Sequence, residues 1–124
     1  MSEKRPIEKL EGILKEINIT GQIDESAIVS RSGLLICSTL PEKQHAETLV
    51  AMSATMFGAA EKAATELGID LPDRIVIESK NGKLIGTGAG PKALLLVMTR
   101  PDINLGLVLV EMKKAVEKIK QALG

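Results

Sequence analysis

Three short apolar segments between residues 74 and 99 follow one another with only turns between them, and this spacing is the strongest constraint on the fold. The first two are joined by Asn81-Gly82, a dipeptide typical of tight β-hairpins. The next two are joined by the turn Gly88-Ala89-Gly90-Pro91. Because such turns are too short to contain a crossover helix, the segments are predicted to pair as antiparallel strands. The last segment, residues 92–99, is apolar on both faces, which predicts the central strand.

Two more strands are predicted nearer the N-terminus, over residues 25–31 and 34–38, with Ser32-Gly33 as the hairpin turn. Amphipathic helices over residues 6–18 and 105–123 and a longer helix over residues 43–67 complete the order α-ββ-α-βββ-α. We therefore predict an α+β fold with a single five-stranded antiparallel sheet, in which residues 34–38 and 74–79 are the edge strands. Residues 1–124 are predicted to form one domain, with residues 1–5 as a disordered tail.

The long helix and the edge strand Arg74–Ser79 both predict self-association. The edge strand contains no proline, no glycine and no inward charge, so its unpaired backbone groups would recruit another strand. The middle of the helix is nearly free of charge. We expect Leu49, Met52, Met56 and Phe57 to face the sheet, and small residues to cover much of the remaining surface. The alternative is that a loop covers the edge and that the alanines only raise helix propensity.

Composition excludes several classes of function. Lys and Arg together number 16, as do Asp and Glu, and this zero net charge argues against nucleic-acid binding. Phe57 is the only aromatic residue, so no base-stacking platform is available. No apolar run has the length of a membrane span and no signal peptide is recognisable, which predicts a cytoplasmic protein.

The sequence supports no enzyme active site, cofactor site or metal site. Cys37 lies among apolar strand residues, where a free thiol is typically buried and inert. His45 is the only histidine, so a two-histidine metal site is excluded. The glycines of Gly86–Gly90 lack the spacing and the following helix of a phosphate-binding loop, and a close approach of a helix is the more typical reason for glycine in a strand.

A family resemblance extends over nearly the whole chain and is carried by four stretches: Ala27–Ile36, His45–Met56, Arg74–Glu78 with Leu84-Ile85, and Leu94–Met98 through to Asn104–Leu107. In these stretches the chain resembles the Roadblock/dynein light chain family. Its neutral charge and single aromatic residue are similar to those of stand-alone bacterial or archaeal members. The resemblance implies that the long helix covers one face of the sheet and that the two terminal helices cover the other.

The resemblance also implies a function and a set of interface residues. Family members join as dimers through the long helix and the third strand, and bind or regulate small Ras-like GTPases, as in bacterial gliding-motility regulators, or act as scaffold subunits. The implied dimer interface comprises Ala51, Ala54, Thr55, Gly58, Lys62, Arg74, Ile75, Val76, Ile77 and Glu78. The implied partner-binding residues are Ala51, Thr55, Gly58, Ala59 and Lys62.

These expectations leave three functions open. The first is a non-enzymatic homodimer that regulates a Ras-like GTPase, and the second is a scaffold subunit with no effect on GTP turnover. The third is a small-molecule-binding domain that uses the segment Gly86–Gly90. Most of the implied partner-binding residues are also implied dimer residues, so the sequence does not decide which contact uses them.

Overall fold

The computed structural model describes residues 5–124 and contains eight regular elements. Their order is α-ββ-α-βββ-α, as predicted. The elements are α1 (Pro6–Thr20), β1 (Glu25–Ser30), β2 (Leu35–Ser38), α2 (Lys43–Glu66), β3 (Arg74–Glu78), β4 (Lys83–Gly88), β5 (Ala93–Thr99) and α3 (Leu105–Leu123). Four residues of the predicted N-terminal tail lie outside the described range, and the fifth, Arg5, precedes α1 and pairs with Glu8.

The five strands form one antiparallel sheet in the order β2-β1-β5-β4-β3. This confirms the predicted α+β fold, with β5 in the centre and with β2 and β3 at the edges. All but one of the seven residues of β5 are buried, as expected for a strand covered on both faces.

Helices cover both faces of the sheet and create two apolar clusters. On one face, α1 and α3 pack against the sheet around Leu14, Ile28, Leu95 and Ile119. On the other face, α2 packs through Val50 and Phe57 against a separate set of strand residues: Ala27, Val29, Leu94 and Leu96. The expectation from the family resemblance, with α2 alone on its face, is therefore confirmed.

Gly86 allows α2 to lie close to the sheet. A Cβ atom at this position would lie 2.6 Å from Cε2 of Phe57 and 3.0 Å from Cδ2 of Leu96. The Phe57 ring therefore occupies the space that any side chain at position 86 would need. This confirms the structural interpretation of a glycine within this strand, namely close approach of a helix.

The buried stripe of α2 differs from the predicted one, most clearly at Met52. Phe57 is buried as expected and Leu49 and Met56 are half-buried, but Met52 is 68% exposed. The stripe consists of residues spaced by whole turns of the helix: Ala46, Val50, Ser53, Phe57 and Ala64. Because each residue rotates the helix by about 100°, Met52 points well away from its buried neighbour Ser53. The prediction chose the largest apolar side chains as the ones that face the sheet. The positions that face the sheet are set by helical periodicity, and they include alanine and serine.

Ser53 carries a buried hydroxyl that has no hydrogen-bond partner among the described residues. We expect Ser53→Ala to stabilise the fold by about 1.5 kcal/mol, because it removes an unsatisfied polar atom and adds about 0.5 kcal/mol of helix propensity. Urea unfolding measures this change. Ser26→Ala is the matched control, since the buried Ser26 hydroxyl donates to Oδ1 of Asn18 at 2.7 Å and its loss is expected to be destabilising. A Ser53→Ala variant that loses as much stability as Ser26→Ala would contradict this explanation.

Candidate protein–protein interface

The outward face of α2 carries a stripe of small residues with little charge. Ala51, Thr55, Gly58, Ala59 and Lys62 are all exposed and recur at whole-turn spacing, and we refer to them as the α2 stripe. Ala54, the remaining helical residue of the implied dimer interface, lies at the border of the stripe and is half-buried. The structure therefore leaves the implied partner-binding residues of the long helix accessible, and their role in an interface stays a prediction.

Local contacts keep the α2 stripe flat. The Thr55 hydroxyl donates to the backbone carbonyl of Ala51 at 3.0 Å, so it is turned back onto its own helix. A Cβ atom at Gly58 would meet nothing within 4 Å, which leaves the helix backbone open there. Lys62 is the only charged member of the stripe, and its Nζ lies 3.4 Å from Oε1 of Glu66. A surface of this kind permits close approach of another protein surface.

The strand β3 has a neighbour on one side only. It pairs with β4 from Arg74 opposite Thr87 to Glu78 opposite Lys83, and its other side is an open edge of the sheet. Ile77 is 41% exposed, and Ile75 and Val76 are only half-buried. The described chain therefore leaves this apolar edge without a covering loop, which is unusual for a natural sheet.

The structure brings β3 and α2 together through the core on the α2 side. Ile75 lies directly opposite Gly86, and it packs against the apolar cluster that contains Phe57. The two elements implied as the dimer interface therefore contribute to the same apolar cluster. Their assignment to an interface remains a prediction.

The loop between α2 and β3 adds exposed apolar residues that the sequence analysis missed. Leu67 is 74% exposed, Ile69 is 62% exposed and Leu71 is 58% exposed. The signal in the sequence was weak, because Ile69 and Leu71 lie between Gly68 and Pro72 in a segment too short to show helical or strand periodicity. These side chains add exposed apolar surface in the connection between α2 and β3, and Met52 adds a separate exposed apolar side chain on α2 itself.

The residues considered for catalysis are not brought together. Cys37 is buried on the side of the sheet covered by α1, and burial, with a smaller contribution from Glu11, raises the pKa of its thiol to about 12. The reactive thiolate is therefore scarce at neutral pH. His45 is exposed on α2, on the opposite face of the sheet, and its Nδ1 lies 3.3 Å from Oε2 of Glu42. This separation excludes His45 as a general base for the Cys37 thiol.

Arg31 and the glycines of Gly86–Gly90 have structural contacts. Nε of Arg31 donates to the carbonyl of Gly90 at 3.1 Å, and Nη1 lies 3.4 Å from Oε2 of Glu61. A Cβ atom at Gly88 would lie 2.7 Å from Nη2 of the same arginine. The guanidinium therefore fills the space above the glycine segment and links it to α2. Arg31 therefore acts as a structural residue that joins this segment to α2.

The described part of the chain shows neither a cluster of metal-binding side chains nor a membrane-spanning helix. Within residues 5–124, no three His, Cys, Asp or Glu side chains are grouped in a way that would hold a metal ion. None of the helices described here is both long enough and apolar enough to span a membrane.

The sequence matches a family model. The model of the Roadblock/LC7 domain matches residues 9–99, which is well over half of the chain. The chain belongs to the Roadblock/LC7 domain family. The protein MJ1340 of Methanocaldococcus jannaschii is 40% identical over 111 residues, which cover 90% of this chain and 96% of that protein.

Solved structures share the Roadblock fold. MglB of Myxococcus xanthus superposes with a TM-score of 0.89 at 19% identity, over 99% of this chain and 93% of that one. The gliding protein MglB of Thermus thermophilus superposes with a TM-score of 0.86 at 21% identity, over 98% of this chain and 93% of that one. At these identities the superpositions establish the fold alone.

Proposed function

We propose that this Roadblock-family chain is a cytoplasmic, non-enzymatic homodimer that binds and regulates a small Ras-like GTPase. Two copies join through α2 and the β3 edge, and the GTPase binds on the outer side of the paired α2 helices. The observation that carries the proposal is the combination of an exposed α2 stripe with an uncovered β3 edge in a member of this family.

The dimer is supported by the amount of apolar surface that one copy leaves in water. Ile77 at the open edge, Met52 on α2, and the loop residues Leu67, Ile69 and Leu71 are all more than two-fifths exposed. A strand edge with unpaired backbone groups is satisfied by another strand, and a two-fold dimer is the commonest symmetric arrangement. Pairing of two β3 strands would turn two five-stranded sheets into one continuous sheet.

The GTPase contact is supported by the position and chemistry of the α2 stripe. Ala59 belongs to the implied partner-binding residues and not to the implied dimer residues, and its side chain is exposed. Small side chains on a rigid helix permit close packing of a partner. The structural similarity to the gliding protein MglB agrees with the gliding-motility regulators that the sequence resemblance implied.

One observation keeps the scaffold alternative in view. Arg31, the arginine that contacts α2, is already held by Glu61 and by the carbonyl of Gly90, and the α2 stripe contains no arginine. The chain therefore has no free guanidinium on this helix to stabilise transition-state charge in trans, so any effect on turnover must come from orienting groups of the GTPase itself. A scaffold would use the same surface and leave turnover unchanged.

The proposal predicts a GTPase partner whose turnover changes on binding. The immobilised protein is used to capture partners from a lysate of its source cells, with GDP or with a non-hydrolysable GTP analogue. We expect a Ras-like GTPase to be retained preferentially in one nucleotide state. Single-turnover hydrolysis of the purified GTPase should then change about tenfold or more, equivalent to about 1.4 kcal/mol of barrier height.

Matched variants make this experiment specific to the α2 stripe. Ala59→Glu is expected to abolish binding of the GTPase and to leave the dimer intact, because it places a carboxylate on the partner-binding surface alone. Gly12→Glu is the control, since Gly12 is an exposed helical position on α1, across the sheet. Tight binding with unchanged turnover would replace the regulator by the scaffold, and failure to retain any GTPase would contradict the proposed GTPase regulator.

A further inference from the structure

The register of the proposed dimer can be inferred from the sequence and geometry of β3. We infer that two copies pair their β3 strands with Val76 opposite Val76 on the two-fold axis. Arg74 of each copy then forms an ion pair with Glu78 of the other. The occupant of the open edge is thus a second copy of this chain, held in one register by two symmetric charge pairs. The inference rests on the homodimer of the proposed function.

Backbone groups of alternate β3 residues are free to pair. The amide of Ser79 donates to the carbonyl of Gly82 at 2.9 Å across the turn, which fixes Ser79 and Gly82 as a hydrogen-bonded pair. Hydrogen-bonded pairs alternate along an antiparallel ladder, so Ile77 and Ile75 also exchange their hydrogen bonds with β4. The N–H and C=O groups of the remaining residues point to the open side: Arg74, Val76 and Glu78.

The residues whose backbone groups point to the open edge have their side chains on one face of the sheet, and the residues paired with β4 have theirs on the other face. Ile75 packs in the apolar cluster beneath α2, whereas Val76 packs in the cluster beneath α1 and α3. Arg74 lies on the same face as Val76, where it lines a groove of about 350 Å³ with Met112 and Lys113 of α3. Glu78 lies two residues beyond Val76 in the same strand and therefore shares that face.

Centring the pair on Val76 matches every residue with a complementary one. Because directly opposed residues of two antiparallel strands share a face, this register places Val76 against Val76 and Ile75 against Ile77. It also places each Arg74 against the Glu78 of the other copy. Arg74, Val76 and Glu78, whose backbone groups point to the open edge, lie opposite the same three residues of the other copy. The edge is therefore complementary to itself in hydrogen bonds, apolar contact and charge.

Registers shifted by two residues lose these matches. Centring on Ile75 would oppose Arg74 to Val76 and Ile77 to Asp73, and it would oppose Glu78 to Pro72, which has no N–H to donate. Centring on Ile77 would oppose Val76 to Glu78 and Ile75 to Ser79. Shifts by one residue would place α2 of the two copies on opposite faces of the joined sheet, because side chains alternate between the faces.

The two charges are available for this contact. Arg74 and Glu78 are exposed, and within residues 5–124 neither forms an ion pair. Glu78 lies opposite Lys83 on β4, and Lys113 lies beside Arg74. A glutamate that arrives from a second copy would therefore meet two cations on the α3 side of the sheet.

Charge-reversal variants test the register through the dimer dissociation constant, measured by sedimentation velocity at low salt. Arg74→Glu and Glu78→Arg are each expected to raise the dissociation constant at least about tenfold, equivalent to about 1.4 kcal/mol, because each opposes like charges twice. An equimolar mixture of these two variants should form a heterodimer about as tight as the wild-type dimer. The double variant R74E/E78R should form a homodimer of similar strength.

Controls separate a specific register from general charge attraction. Lys9→Glu and Asp102→Arg change the net charge by the same amounts at exposed positions outside β3, and we expect neither variant to affect dimerisation, alone or mixed. Circular dichroism confirms that every variant is folded. Wild-type-like dimers of both single variants, or a mixture no tighter than its components, would overturn the register while leaving the dimer standing. A monomeric wild-type chain would overturn the dimer itself.

Discussion

Replacement of Gly58 by arginine is expected to dissociate the dimer almost completely. In the proposed arrangement the implied dimer residues of α2, among them Gly58, lie close to those of the other copy, and an arginine at this position would bring an unpaired guanidinium into that contact from each side. Burial of an uncompensated charge costs on the order of 3 kcal/mol, equivalent to at least about a hundredfold increase in the dissociation constant. Sedimentation equilibrium measures this shift.

The folded monomer should tolerate the same substitution. A Cβ atom at Gly58 meets nothing within 4 Å, and replacing a helical glycine adds about 1 kcal/mol of helix propensity. Gly12→Arg is the matched control, because Gly12 is also an exposed helical glycine with open space around a Cβ atom. If Gly58→Arg dimerises as tightly as Gly12→Arg, the α2 stripe is not part of the interface.

Replacement of Gly86 by valine is expected to cause a large loss of stability. The first added carbon would lie 2.6 Å from Cε2 of Phe57 and 3.0 Å from Cδ2 of Leu96, and the branched methyl groups add further overlap. Overpacking of this kind typically costs up to about 3 kcal/mol. For a chain of this size we expect the melting temperature to fall by about 10 °C in a calorimetric scan.

The cause of that loss can be isolated by a second substitution. Phe57→Leu removes the ring that occupies the space above Gly86, so it should restore part of the stability in the Gly86→Val background. Gly12→Val provides a baseline, because its side chain enters open space. Equal stability of Gly86→Val and Gly12→Val would show that α2 does not press on the sheet at this point.

The element order and sheet topology followed from local sequence signals. Asn81-Gly82 and the turn at Gly88–Pro91 are too short for any connection but a hairpin, and the apolar run of β5 requires cover on both faces. These constraints fixed the positions of the edge strands without any knowledge of tertiary contacts. The boundaries of the elements moved by only one or two residues, which is the usual uncertainty at fraying ends.

Side-chain orientation on α2 was harder to predict, because most of its residues are apolar or small. Met52 was assigned to the sheet on size, but helical phase places Ser53 there instead. Phe57 was placed correctly, and counting back from it by whole helical turns leads to Ser53, Val50 and Ala46 rather than to Met52. The exposed loop residues Leu67, Ile69 and Leu71 were missed because no regular period marks a surface loop.

The candidate interface could be predicted in part. The family resemblance implied Ala51, Thr55, Gly58, Ala59 and Lys62 as partner-binding residues, and all five are exposed in the structure. What these residues contact depends on a second molecule, and no local pattern encodes that. The proposed pairing register of β3 could not be inferred from the sequence alone. Only the structure shows that Ile75 and Val76 pack in clusters on opposite faces of the sheet.

The oligomeric state of the wild-type chain tests the central claim most directly. Sedimentation equilibrium over a range of micromolar concentrations should give twice the chain mass of 13.2 kDa. Hydrogen exchange on the same samples should show protected amides at Arg74, Val76 and Glu78, which have no partner strand in one copy. A mass of one chain at every concentration, with rapid exchange at those three amides, would contradict the account.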